Sequence, residues 1–160
     1  MAAEQTYLTP DGLRQTEEEL DHLRSVRRPE VADHIQEAKG VGGTLDNAEY
    51  EEARNEQGFI EGRIQELEAM VYSAVIIPDH RRSAAKSEVV ELGSIIKVQS
   101  LATNKRQTYT IVGSAEASPE TGRISNESPL GEALMGKRAG DEVEFTVPAG
   151  IQRIKVLEVR

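Results

Sequence analysis

The chain has 160 residues, no cysteine and a formal net charge of −9. The missing cysteines exclude disulfide staples, thiolate metal sites and thiol nucleophiles, which suits a reducing cytoplasm. Residues 1–78 carry 17 acidic and 7 basic side chains against 11 and 12 in residues 79–160, so there is no overall basic stripe and little free nucleic-acid binding is expected.

The first element begins at YLTPDGL. Thr9 suits an N-cap, Pro10 the first helical position, Asp11 the positive end of the dipole, and Leu8 a hydrophobic staple. Leu13, Thr16, Leu20 and Leu23 follow at helical spacing; Pro29 interrupts the seam, and Val31, Ile35 and Ala38 resume it. One long helix with a kink near Pro29 is expected, because proline removes a backbone bond and clashes with the preceding turn.

The glycine-rich break GVGGTLDNAEY at 40–50 separates this helix from a second. There Tyr50, Ala53, Gln57, Ile60, Ile64, Leu67 and Val71 alternate steps of three and four, the seam of a left-handed coiled coil. The break invites the chain to fold back on itself as an antiparallel hairpin about 45 Å long, from the 1.5 Å rise of about 30 residues; a dimeric coiled coil is the alternative.

The period changes from Pro78. PDHRRSAAKSE is a polar linker, followed by short runs with strand character: VVELG, SIIKVQSL, QTYTIVG, VEFTV and IQRIKVLEV. Between them SPLGEALMGK suggests a short helix with Pro129 in its first turn and Gly136 past its end. The predicted organisation is α+β: an antiparallel coiled-coil hairpin over 1–78, a linker over 79–86, and an antiparallel sheet wrapped around one helix over 87–160.

No nucleophile–base spacing and no phosphate loop is visible, which argues against a self-contained enzyme. His22, His34 and His80 have no metal-ligand spacing, no apolar run approaches a membrane span, and the N-terminus lacks a signal pattern. The unusual feature is the hairpin tip, where Asp46 is followed by Asn47 and Glu49. Asp46 either caps the second helix with Glu49 as capping-box partner, or supplies part of a shared site for a hard cation such as Mg²⁺.

YLTPDGL, RRPEVADHIQEAK, LDNAEYEEARNEQGFIEGRIQELE, TYTIVG and SPLGEALMGKRAGDEVEF, in this order and spacing, resemble the bacterial transcript cleavage factors of the GreA/GreB family, GreA more closely. The resemblance implies a coiled-coil hairpin followed by a domain similar to the FK506-binding proteins. It implies a protein that binds RNA polymerase, its globular domain at the rim of the secondary channel and its hairpin reaching the catalytic centre. There the tip acids help hold the polymerase's own Mg²⁺ while the polymerase cleaves backtracked RNA; the isolated protein binds no cofactor.

Carried over by position, Asp46 is the catalytic and metal-facing acid, and Glu49 is a weaker, mainly structural candidate. Lys39 and Arg54 face the nascent RNA 3′ end, the alternative for Arg54 being a pair with Glu51 or Glu52. Glu127, Ser128 and Pro129 dock on the polymerase. The tip departs from the family pattern G-D-L-x-E-N-A-E-Y: Gly43 stands where the family has Asp, and Asp46 where it has Glu. Two outcomes stay open, a factor that stimulates cleavage and a channel-binding regulator that cleaves poorly. Prolyl isomerisation is disfavoured because only Tyr109 and Phe145 are aromatic after residue 80. A structural adaptor without a polymerase role would leave the acidic tip unexplained.

Overall fold

In this computed structural model the residues described are 4–40, 48–80 and 87–160. They group into two compact units: Leu13–Ser73, and the segment ending at Gly12 together with Ala74–Arg160.

The first unit is the helical hairpin. Its leading arm comprises α1 (Pro10–His22, begun in the other unit), a π-helical turn (Leu23–Arg27) and α2 (Arg28–Gly40); the returning arm is α3 (Ala48–Tyr72). Leu20, Val31 and Ile35 pack against Ala53, Ile60, Ile64 and Leu67, with Leu23, Tyr50 and Met70 at the margin. The two seams thus meet within one chain, and the apolar stripe read from periodicity is the core of this unit.

The π turn explains the interruption in the leading seam. Along α3, Ala53, Ile60 and Leu67 recur every seven residues, whereas Leu23 to Val31 is eight. One extra residue in an α-helix would rotate everything beyond it by about 100° away from the partner. A π turn holds one more residue than an α turn, and here the Arg28 N–H reaches back to the Leu23 carbonyl. Pro29, with no N–H to give, sits just past the turn, and the Ser25 hydroxyl donates to the Asp21 carbonyl at 2.7 Å. The kink expected at Pro29 is therefore a local change of helix type one turn upstream, which returns Val31, Ile35 and Ala38 to the seam.

Outside the seam the arms are bridged by arginine–glutamate pairs. Arg63 Nε meets Glu19 at 2.7 Å, Arg28 makes a forked pair with Glu61 at 2.7 and 2.8 Å, and Arg24 and Arg27 reach Glu68 and Glu56. Such exposed pairs contribute less than about 1 kcal/mol each and mainly fix the register of the arms. The hydrogen bond from Arg28 holds the Glu61 carboxyl below its ordinary range. The associated stability is complete above the ordinary glutamate pKa of about 4.3 and is lost as pH falls through the lowered value. Carboxyl ¹³C titration should show Glu61 protonating at lower pH than a free glutamate, and Arg28→Gln should move it upward.

The second unit contains two sheets. β1 (Thr6–Leu8) and β2 (Ala74–Ile76) pair in parallel, and β3 (Ile95–Ser100), β4 (Arg106–Val112), β5 (Arg123–Ser125), β6 (Glu142–Val147) and β7 (Gly150–Val159) form a sheet ordered β5-β4-β3-β7-β6. That sheet is antiparallel except for the parallel β4–β5 pair. Its inner face buries Ile96, Val98, Ile111, Val143, Ile154 and Val156, with Leu134 of α4 (Pro129–Leu134) among them. A bulge opposite Lys97 and Val98 skips Leu157 in the β7 register. It shifts the alternation, so Val159 rather than Glu158 turns inward.

Three expectations change here. The second helix stops at Tyr72 rather than running on toward Pro78, because residues 74–76 pair with β1. Ile77 continues that strand by donating its N–H to the Leu8 carbonyl at 2.7 Å, and is buried. Consequently the residues before Leu13 and those from Ala74 to His80 group with the sheets, where the sequence reading assigns 1–78 to the hairpin and starts a linker at 79; residues 81–86 lie outside those described. VVELG is not a strand: Val90 is buried, but the chain turns at Gly93 (φ +89°), closed by the Ser94 hydroxyl accepting the Glu91 N–H at 3.0 Å. Any Cβ at Gly93 would lie 2.5 Å from the Pro78 carbonyl oxygen.

Candidate functional site: the open end of the helical hairpin and the loop before α4

Gly43 and Asp46 lie outside the described residues, as does any capping contact between Asp46 and Glu49. The structure does describe what brackets them. Lys39 is in the last turn of α2, and Glu49 is in the first turn of α3, where a carboxylate interacts favourably with the free N–H groups of the helix end. Glu49 lines an open groove of about 440 Å³ between the two helices, together with His34, Glu37, Glu52 and Glu56. Among the described residues no group of three or more His, Cys, Asp or Glu side chains converges as a metal site.

Arg54 pairs with neither Glu51 nor Glu52. Its Nη1 donates to the Tyr50 hydroxyl at 3.1 Å, and its guanidinium carbon lies 5.9 Å from the centre of the Tyr50 ring. Every other arginine of the hairpin unit has a carboxylate partner: Arg14 with Glu18, Arg24 with Glu68, Arg27 with Glu30 and Glu56, Arg28 with Glu61, and Arg63 with Glu19 and Glu66. The cation nearest the tip on α3 is therefore left unneutralised among the described residues. Such a group can meet an anion without first breaking an ion pair.

Glu127, Ser128 and Pro129 come together where the chain leaves β5 and enters α4. Ser128 is the N-cap: its hydroxyl accepts the Gly131 N–H at 3.1 Å and donates to the Ser125 carbonyl at 2.7 Å. Pro129 occupies the first helical position and is exposed. Glu127 is exposed and accepts from the Ser114 hydroxyl at 2.7 Å, while its own N–H reaches the Ser125 hydroxyl at 3.1 Å. The tight seat requires Gly131, since a Cβ there would lie 1.9 Å from the Ser125 carbonyl oxygen. The loop thus presents a carboxylate and a proline ring on a backbone locked by three serines.

A residue that sequence reasoning missed anchors the start of α1. Glu116, its side chain 7% exposed, accepts the Thr9 N–H and, at 2.7 Å, the Thr9 hydroxyl, and also binds Arg123. The Thr9 oxygen at the same time accepts the Gly12 N–H at 3.0 Å, so the predicted cap is real but is itself held by a carboxylate 107 residues away. No local sequence signal could reveal that. Glu116→Ala removes a buried acceptor from three donors and should destabilise this unit by about 2–3 kcal/mol. Thermal melting followed by near-ultraviolet tyrosine dichroism reads the loss, with an unchanged midpoint as the contrary result.

Comparison with known proteins places both halves in one family. The profile described as "Transcription elongation factor, N-terminal" matches residues 6–76, and that described as "Transcription elongation factor, GreA/GreB, C-term" matches residues 85–160. The chain is 49% identical over 153 residues to transcription elongation factor GreA of Thermoanaerobacter pseudethanolicus, covering 96% of each chain. It is 44% identical over 160 residues to GreA of Clostridium perfringens (strain SM101 / Type A), covering 100% of this chain and 99% of that one. Among solved structures, GreA factor homolog 1 (Gfh1) of Thermus thermophilus is 29% identical over 98% of this chain and 99% of its own, with a TM-score of 0.44. With both profiles matched in order, over nearly the whole length, the chain belongs to the GreA/GreB family of transcription elongation factors.

Proposed function

We propose that the protein binds RNA polymerase through the secondary channel and stimulates the polymerase's own cleavage of backtracked RNA, rescuing arrested complexes. The observation that carries this reading is a family-matched hairpin whose sequence sets Asp46 between Lys39 and Arg54, together with a family-matched sheet unit presenting Glu127, Ser128 and Pro129 in one hydrogen-bonded loop. The protein is not an enzyme by itself in this account.

The division of labour follows from the chemistry. Glu127 and Pro129 dock at the channel rim, giving a charged and an apolar contact whose geometry the Ser128 cap fixes. Lys39 and Arg54 meet phosphates of the RNA 3′ end. Asp46 offers a carboxylate to the Mg²⁺ of the polymerase centre, a hard cation that commonly takes only one or two protein carboxylates and keeps several waters. Bound there, that ion would supply polarisation of the scissile phosphate and of the attacking water; Asp46 would orient that water, and Glu49 supports the start of α3.

A second reading rests on Gly43. With one tip carboxylate missing and the other a methylene short, the protein would occupy the channel and cleave poorly. Anisotropy of the labelled protein with core RNA polymerase tests the docking common to both. Saturable binding weakened about tenfold by Glu127→Lys, and unchanged by Gly43→Asp, supports it; no binding by the natural chain would overturn it.

A further inference from the structure

We propose that Tyr50 is a positioning residue for the reaction, holding the Arg54 guanidinium ready for a phosphate of the RNA 3′ end. This rests on the polymerase reading above.

Five of the six arginines in the hairpin unit are neutralised by glutamates, and Arg54 is held by an aromatic ring and a neutral oxygen instead. The sequence around it permits this. Of the two positions four residues away, where a glutamate could pair on a helix, the one before is Tyr50 and the one after is Gly58. Glu51 and Glu52 lie three and two residues before Arg54, yet neither takes the guanidinium. A cation over an aromatic face keeps its full charge and most of its donors. Tyr50 is itself fixed, because its ring packs on the margin of the hairpin core beside the seam. The guanidinium therefore sits against this packed ring in the second turn of α3, oriented and without a carboxylate partner among the described residues. A glutamate in place of Tyr50 would also orient it but would compete with phosphate.

The test is a two-residue cycle read as preference for backtracked over non-backtracked elongation complexes, measured as the ratio of the two dissociation constants. Arg54→Ala should lower the natural preference about tenfold, the scale of one charge-assisted hydrogen bond. Tyr50→Phe keeps the ring and loses the oxygen, and should lower it about threefold. Tyr50→Leu loses both and should approach the Arg54→Ala value. In an Arg54→Ala background both Tyr50 changes should have no further effect. The proposal is overturned if the Tyr50 variants keep the full preference, if they weaken binding to both complexes equally, or if their effect persists without Arg54. Polymerase binding with no preference by the natural chain overturns this proposal and leaves the docking reading standing; absence of polymerase binding overturns both.

Discussion

Replacing Gly43 with aspartate should raise the rate of RNA cleavage in backtracked complexes by about a hundredfold, with little change in polymerase affinity. The carboxylate so introduced would stand three residues before Asp46, at the position where the resemblance implies a tip aspartate. A second hard oxygen donor would share the load of fixing the metal and its water, and catalytic groups misplaced by about 1 Å can cost a factor of that size. Asp46→Glu adds back the missing methylene and should also raise the rate, by less, since it restores reach without adding a donor. Asp46→Asn retains size and polarity but removes the charge, and should abolish stimulation. Single-turnover cleavage at saturating factor separates these effects on chemistry from effects on binding. Gly43→Asp leaving the rate unchanged would show that the tip carboxylates do not act as this account has them.

A one-residue insertion beside the π turn should be far more damaging than a one-residue deletion. The leading arm already holds one residue more than a seven-residue seam requires, absorbed between Leu23 and Arg28. Deleting exposed Val26 removes the excess, lets the turn revert to α geometry and keeps Val31 and Ile35 facing α3; the melting temperature should hold or rise. Inserting alanine after Val26 rotates those side chains by about 100° out of the seam. Val31 and Ile35 are 1% and 7% exposed, and burying each contributes about 1.5–3 kcal/mol, so a loss of about 5 kcal/mol is expected. Urea unfolding of both variants, followed by helical dichroism, measures the difference; equal destabilisation by both changes would contradict the register argument.

The parts of the fold legible in the sequence were those written in short-range patterns. Leu20, Val31, Ile35, Ala53, Ile60, Ile64 and Leu67 repeat at helical spacing, and the glycine break between them is what a hairpin needs. Thr9 and Pro129 announce their helices because a helix start is a local event. The eight-residue step from Leu23 to Val31 is also visible, but Pro29 by itself accounts for an interruption there, and a π turn has no residue signature of its own. Parallel pairing of Thr6–Leu8 with Ala74–Ile76 leaves no alternation to read, since three-residue strands are too short to show a period. Val90 reads as part of a strand because burial and strand pairing leave similar apolar runs.

The candidate site was legible to different depths. Lys39, Arg54 and residues 127–129 are marked only by the family resemblance, and Pro129 in addition by helix-start chemistry. The Tyr50–Arg54 contact has the i, i+4 spacing of a helix pair, yet spacing also allows Glu51 as partner, and only the folded structure distinguishes them. Glu116 is invisible to any local rule, because its partners Thr9 and Arg123 are joined through tertiary structure.

The most direct measurement is RNA cleavage in stalled, backtracked elongation complexes with Mg²⁺, comparing the natural protein with Asp46→Asn at saturating concentrations of each. The account predicts Mg²⁺-dependent cleavage above that of polymerase alone, lost in Asp46→Asn while binding is retained. Binding by both proteins with cleavage no faster than polymerase alone would contradict it and identify the protein as an occupant of the channel with a disarmed tip.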